Sequence, residues 1–189
     1  MPKTLVSDAL KKDLMTGNAT ILLVDQVSVL TPTTFDEADE IITLKDTLSI
    51  VENEPDKTPV QIDQDGGATI ENIYAVGETL ITGSCPSSAM EVFDYFYAKS
   101  VNQPSVTVPI EIKGNTFAVA SAYKAEKKQL KVSMCIISQS GKTAIAYMNV
   151  DLFAVFNWSN VTTTPSSLNF TGSALGNGDD GSMIILKAE

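Results

Sequence analysis

From residue 106 onward the chain breaks into short stretches of alternating apolar and polar residues, separated by turn signals. That period of two is the pattern of half-buried strands. Residues 106–112 set Val106, Val108, Ile110 and Ile112 against polar partners, and residues 117–123 alternate again. Residues 130–138 are apolar and β-branched, Ser140-Gly141 is a turn, and residues 143–156 form a long aromatic-rich stretch. Leu168, Phe170 and Gly172 alternate with Asn169, Thr171 and Ser173; a tight loop at 176–181 and a last strand at 183–186 follow. The charged segment 124–129 reads as a turn.

The first half is mixed. Val6, Leu10 and Leu14 fall at helical spacing and predict an N-terminal helix over 5–15. Residues 19–24 read as a strand that continues unevenly to Leu30, and 41–51 alternates loosely enough to be another. Residues 68–73 and 77–84 read as two more strands. Pro86 and Ser87-Ser88 open a helix at 89–97, with Met90, Phe93 and Tyr97 along one face. The expected fold is therefore mainly β (α+β). It is an antiparallel β-barrel or sandwich with one flanking helix, an N-terminal helix and a long acidic loop. One domain over 1–189 accounts for the length, with residues 31–67 as a protruding arm.

Charge is concentrated in that arm. Ten of the 23 acidic residues lie between Asp36 and Asp65, with Lys45 and Lys57 as the only bases, so the segment carries 2 − 10 = −8 of the chain's −10. Such a face repels nucleic acid. The plain alternative is a solvated acidic loop. Residues 52–67 contain Pro55, Pro59 and Gly66-Gly67 and read as a long exposed loop or the tip of a hairpin, a length unusual for a connection without a role.

The chain has no histidine. This removes the Ser-His-Asp triad, the Cys-His dyad and most zinc sites, so the reading is non-enzymatic, with no cofactor. Gly176, Gly178 and Gly181 match a dinucleotide fingerprint in spacing only. A strand follows instead of a helix, and Asp179 and Asp180 would repel phosphate, so a flexible hairpin is the expectation. Asp63 and Asp65 resemble the start of a calcium loop, but Tyr74 stands where the bidentate Glu belongs. Cys85 precedes a helix and could have a lowered pKa there. With Cys135 it forms either one bridge or, as the reading preferred for a reducing cytoplasm, two buried free thiols. Tyr123, Tyr147, Phe153, Phe156 and Trp158 lie in strand-like segments, where aromatics usually make core or sheet packing. No secretory signal and no membrane-length apolar run are visible, which points to an unexported protein with no membrane partner.

The element order resembles that of phage tail tube proteins. The resemblance is carried by the strand ending at residues 78–84 (ETLITGS), the proline–small polar–helix step at 86–96 (PSSAMEVFDYF) and the closing strand at 164–174 (TPSSLNFTGSA). It covers most of residues 19–187, with the N-terminal helix as a departure. It implies a virion structural protein made in the host cytoplasm, assembling with itself into stacked rings, usually of six, and meeting other tail proteins. Genomic DNA would pass through the lumen without specific binding. Glu52, Glu54, Asp56, Lys57, Asp63 and Asp65 would then form the inter-subunit or stacking loop, and Asp36, Glu37, Asp39 and Glu40 are the candidate lumen acids. Two other classes fit the sequence. One is a decoration or binding module that holds carbohydrate or a protein partner through its aromatic strands or the Thr-rich 160–167 loop. The other is a carboxylate-based glycosidase.

Overall fold

The computed structural model describes residues 19–55, 57–62, 68–74, 77–86, 90–104, 109–117, 121–158, 166–176 and 181–188. The N-terminal helix expected at 5–15 lies outside them. The strands are β1 (Thr20–Asp25), β2 (Asp39–Ile41), β3 (Ser49–Glu52), β4 (Lys57–Ile62), β5 (Ala68–Tyr74) and β6 (Thr79–Pro86). Helix α1 (Met90–Phe96) runs into β7 (Tyr97–Lys99). Then come β8 (Ile110–Ile112), β9 (Asn115–Phe117), β10 (Tyr123–Lys127), β11 (Leu130–Ile137), β12 (Thr143–Asn157), β13 (Ser167–Ala174) and β14 (Met183–Lys187).

The chain is mainly β and antiparallel, with one helix among the described residues. Eight strands form one sheet in the order β2-β1-β11-β12-β13-β6-β3, with β14 also on β12. The sheet is sandwich-like and open, so the barrel alternative is not realised: the terminal strands β2 and β3 do not pair. Residues 42–48 carry the chain between these two edges. Leu44 N donates to Ser84 O at 2.7 Å, and Thr47 Oγ1 accepts from Ser84 N at 3.2 Å. The single strand expected over 41–51 is thus two short strands and a connector, because one strand cannot serve both edges. Helix α1 flanks the opening, and Phe96 inserts into the core.

Alternation places the core. Tyr147, Val150, Leu152 and Ala154 of β12 face Ile21 and Leu23, Val132, Met134 and Ile136, Ile81 and Cys85, and Leu168 and Phe170. The opposite face holds a smaller cluster of Cys135, Ala146 and Met148, packed against Val27, Leu30 and Phe35 of the segment after β1. The parity of β12 changes at a bulge: Val132 pairs with Val150, but Met134 pairs with Tyr147. Buried Ser133 stabilises it, donating from Oγ to Met148 O at 2.6 Å and accepting from Val27 N at 3.0 Å. One hydroxyl thereby satisfies backbone groups of β12 and of the segment that covers its outer face.

Strands β13 and β14 pair with successive parts of the same side of β12 and not with each other. Leu175 N donates to Asn149 O, and Met148 N donates to Ser182 O. Leu175 and Ser182 thus meet adjacent positions of β12, and the hairpin expected between them falls on residues 177–180, outside the described residues. Gly83 of β6 lies opposite Phe170, whose ring covers it.

Three pairs stand apart from the main sheet. Strands β4 and β5 form a hairpin, one of the two forms expected for residues 52–67. Its base is closed by Asn53 N donating to Glu78 O at 3.0 Å. Strands β8 and β9 form a second hairpin around Lys113 and Gly114, whose positive φ values of 50° and 79° suit a tight primed turn. Strand β10 pairs with β7, which corrects the charged turn expected at 124–129. Its lysines sit on an edge strand, a place where charge discourages further pairing. Helix α1 also ends one residue early, because Tyr97 turns into that ladder, and its deepest side chain is Phe96.

Candidate functional site

The acids singled out in the sequence divide into two groups. Asp36 and Glu37 are exposed in the turns that follow Thr31, and Asp39 and Glu40 are exposed on β2. Glu52 ends β3, Glu54 follows it and Lys57 begins β4, all three exposed. Asp56, Asp63 and Asp65 lie outside the described residues. The fold keeps the groups apart. Asp39 and Glu40 lie near the Pro86 end of β6, whereas Glu52 pairs with Thr79 at its other end.

Between β2, the end of β6 and α1 runs a groove of about 360 Å³. Ile41, Val92 and Phe96 give it apolar walls, and Asp39, Glu40 and Glu91 add carboxylates. Cys85 also lines it, but burial pushes that thiol up to about 12, which corrects the lowered pKa expected from its place before a helix. The helix has seven residues, and the thiol is buried against the core, so desolvation decides. Tyr95 is likewise pushed up to about 12 by burial, with Asp39 and Asp25 adding to the effect. Both thiols are free and buried, as the reducing-compartment reading expected. Cys85 packs in the main core and Cys135 in the outer cluster.

A second feature was not foreseen. Where the end of β12 meets α1, β7 and β10, five aromatic rings form a chain. Phe93 contacts Tyr97, Tyr123 and Phe156, with ring centroids 5.8, 5.8 and 5.4 Å away, and Phe156 contacts Trp158 at 6.3 Å. Two polar ties fix it. Tyr97 Oη accepts from Phe156 N at 2.9 Å, and Tyr123 Oη donates to Asp94 Oδ1 at 2.9 Å. Asp94 also pairs with Lys99 at 2.8 Å, and Lys128 Nζ donates to the Asp94 carbonyl at 2.8 Å. The hydrogen bonds from Lys99 and then Tyr123 hold the Asp94 carboxyl below its ordinary value.

The aromatics were expected to be packing residues. Tyr147 is one, but Phe153, Phe156 and Trp158 are 41%, 39% and 72% exposed. The last part of β12 shows apolar groups on both faces, and Phe156 is half-exposed although its register partner Leu168 is buried in the core. Alternation gives a residue's face but not where the core ends along a strand, so the sequence carried no signal for this.

Among the described residues no cluster of acidic or thiol side chains could hold a metal ion, and no helix is long and apolar enough to cross a membrane. No protein-family model matches the chain, and no curated protein matches its sequence.

Proposed function

We propose that the chain is the structural subunit of a phage-type tail tube, assembling with itself into stacked rings, six-fold by the resemblance, whose lumen conducts DNA. The observation that carries this reading is the amount of pairing capacity the single copy leaves unused. Among the described residues β2, β3 and β14 each pair on one side only. Ile110, Ile112 and Phe117 of the β8–β9 hairpin are all exposed. An isolated two-stranded hairpin is marginal in water, and an open edge invites another strand. Repeated heterologous contacts would use both, closing rings laterally and stacking them axially.

The acids fit the same use. Duplex DNA carries a charge about every 1.7 Å, and an acidic wall of Asp36, Glu37, Asp39 and Glu40 would let it slide without adhering. Glu52, Glu54, Asp56, Lys57, Asp63 and Asp65 belong to the arm that would reach the next ring.

Negative-stain electron microscopy with light scattering across concentration tests the proposal. Rings or tubes with a central hole are expected. The arm can be excised between Asn53 and Glu78, whose backbone bond already closes its base. That variant is expected to keep its β circular dichroism and lose stacking; normal tubes from it would remove the arm's role. Exposed Trp158 beside Phe156 favours the second reading, a module for carbohydrate or a protein partner. A strict monomer that binds a glycan array would favour that reading.

A further inference from the structure

The β8–β9 hairpin and the groove beside α1 are complementary surfaces on one chain. In the hairpin Ile110 pairs with Phe117, Glu111 with Thr116 and Ile112 with Asn115. Cross-strand partners share a face and successive residues alternate. Ile110, Ile112 and Phe117 therefore make one apolar face, and Glu111 and Thr116 lie on the other. The three apolar side chains are 47%, 56% and 50% exposed. Lys113 stands at the tip, exposed and, among the described residues, with no ion pair. The groove is lined by Ile41, Val92 and Phe96, and Ile42 at its rim is 69% exposed. Its charged groups are Asp39, Glu40 and Glu91, all exposed, and among the described residues no lysine lines it. At about 360 Å³ it lies at the lower end of ligand pockets, roughly 300–1,000 Å³, which is room for a few side chains. No residue of the hairpin lines the groove, so the two do not meet within one copy.

Resting on the reading above that copies associate, we infer that the β8–β9 hairpin of one copy seats its apolar face in the groove of the next, with Lys113 among Asp39, Glu40 and Glu91. The occupant is a second copy because the chain itself presents both halves, an apolar face with a cationic tip and an apolar groove whose charges are all acids. Glu111 then stays on the solvent side, so the hairpin's one acid is not pressed against three others. Each copy gives one hairpin and receives one, a heterologous contact that repeats from copy to copy. The buried apolar side chains carry the affinity, since an exposed ion pair alone contributes little. The lysine fixes which way round the hairpin sits. Asp39 and Glu40 thereby leave the lumen wall, which keeps Asp36 and Glu37.

Cross-linking between full chains tests this. Cys85 and Cys135 are both buried, so the wild type serves as the blank. Chains carrying Ile112→Cys and Ile42→Cys, mixed one to one and treated with a short bis-maleimide, are expected to give a dimer containing one of each. Thr116→Cys, on the opposite face of the hairpin, is expected to give little of it. The chain with both Ile42→Cys and Ile112→Cys should form a ladder of multimers whose yield rises with concentration. Lys113→Glu is expected to raise the concentration needed for tubes by about 10-fold, and Ile112→Ser with Phe117→Ser by about 100-fold, while Glu111→Gln leaves it unchanged. Equal cross-linking from both hairpin faces would overturn the docking while leaving the tube reading in place. So would tubes at the wild-type concentration from the double serine variant, or a concentration-independent link within one chain. A wild-type chain that never assembles would remove both.

Discussion

Gly83→Ala is a sharp test of how the core is built. Glycine inside a strand costs roughly 0.5–1 kcal/mol relative to alanine, so without tertiary constraint the change would stabilise. Here a Cβ would lie 2.5 Å from Phe170 Cζ and 2.7 Å from Cε1. Carbon atoms prefer about 3.5–4.0 Å, so the ring must move by roughly 1 Å. Phe170 is 2% exposed and packed in the core, and such overpacking costs about 1–3 kcal/mol. The clash wins, and a net loss of about 1–2 kcal/mol is expected. The assay is urea unfolding of the unassembled chain by circular dichroism, since exposed Trp158 is a poor reporter of core packing. Phe170→Leu removes the ring atoms that collide. In the double variant the Gly83→Ala penalty should vanish, giving a coupling of at least about 1 kcal/mol. Additive losses, or a stabilising Gly83→Ala, would refute the ring-over-glycine account.

Three further outcomes are expected. Ser133→Ala leaves Val27 N and Met148 O without their shared partner, and urea midpoints should show a loss of about 1–3 kcal/mol. Cys85 has its folded pKa raised to about 12, so the unfolded chain releases the proton first. Stability should fall above about pH 8.5, by up to about 1.4 kcal/mol per pH unit for this thiol, and Cys85→Ala should reduce the slope between about pH 8.5 and 10, leaving the part due to Cys135, whose thiol burial also raises. The Asp94 carboxyl is lowered by Lys99 and Tyr123, so its ties persist above the ordinary carboxylate range and are lost as pH falls through the lowered value. Asp94→Asn should strip amide protection from β7 and β10 at neutral pH while leaving the main sheet protected.

Much of the strand content was readable because its signals are local. The apolar, β-branched run at 130–138 marked a strand, alternation in 167–174 gave strand and face together, and Ser140-Gly141 gave the turn, where Gly141 adopts a φ of 68°. What sequence could not supply was pairing. Lys124–Lys127 looked like a turn because its charges outweigh its propensity, yet β7 across the way makes it a strand. The two strands hidden in 41–51 depend on the chain crossing to the other edge of the sheet. Cys85 looked activated from its neighbours in sequence and is suppressed by its neighbours in space. At the candidate site, exposure of the acids was legible from composition. The aromatic cluster was not, since it joins residues from Phe93 to Trp158 that are far apart in sequence and meet only through the packing of α1, β7 and β10 against the end of β12.

The pairing of β1 with β11 also sets a timetable. Asp25 and Ile137, the far ends of that ladder, are separated by 137 − 25 = 112 residues. At 5–20 residues per second, roughly 6–22 s pass during synthesis before β1 can meet its partner. Until then Ile21 and Leu23, fully buried at the end, have no place to go. The nascent chain carries a ready aggregation segment through most of its translation, and expression should respond to slower growth or added chaperone more than to changes near the C-terminus.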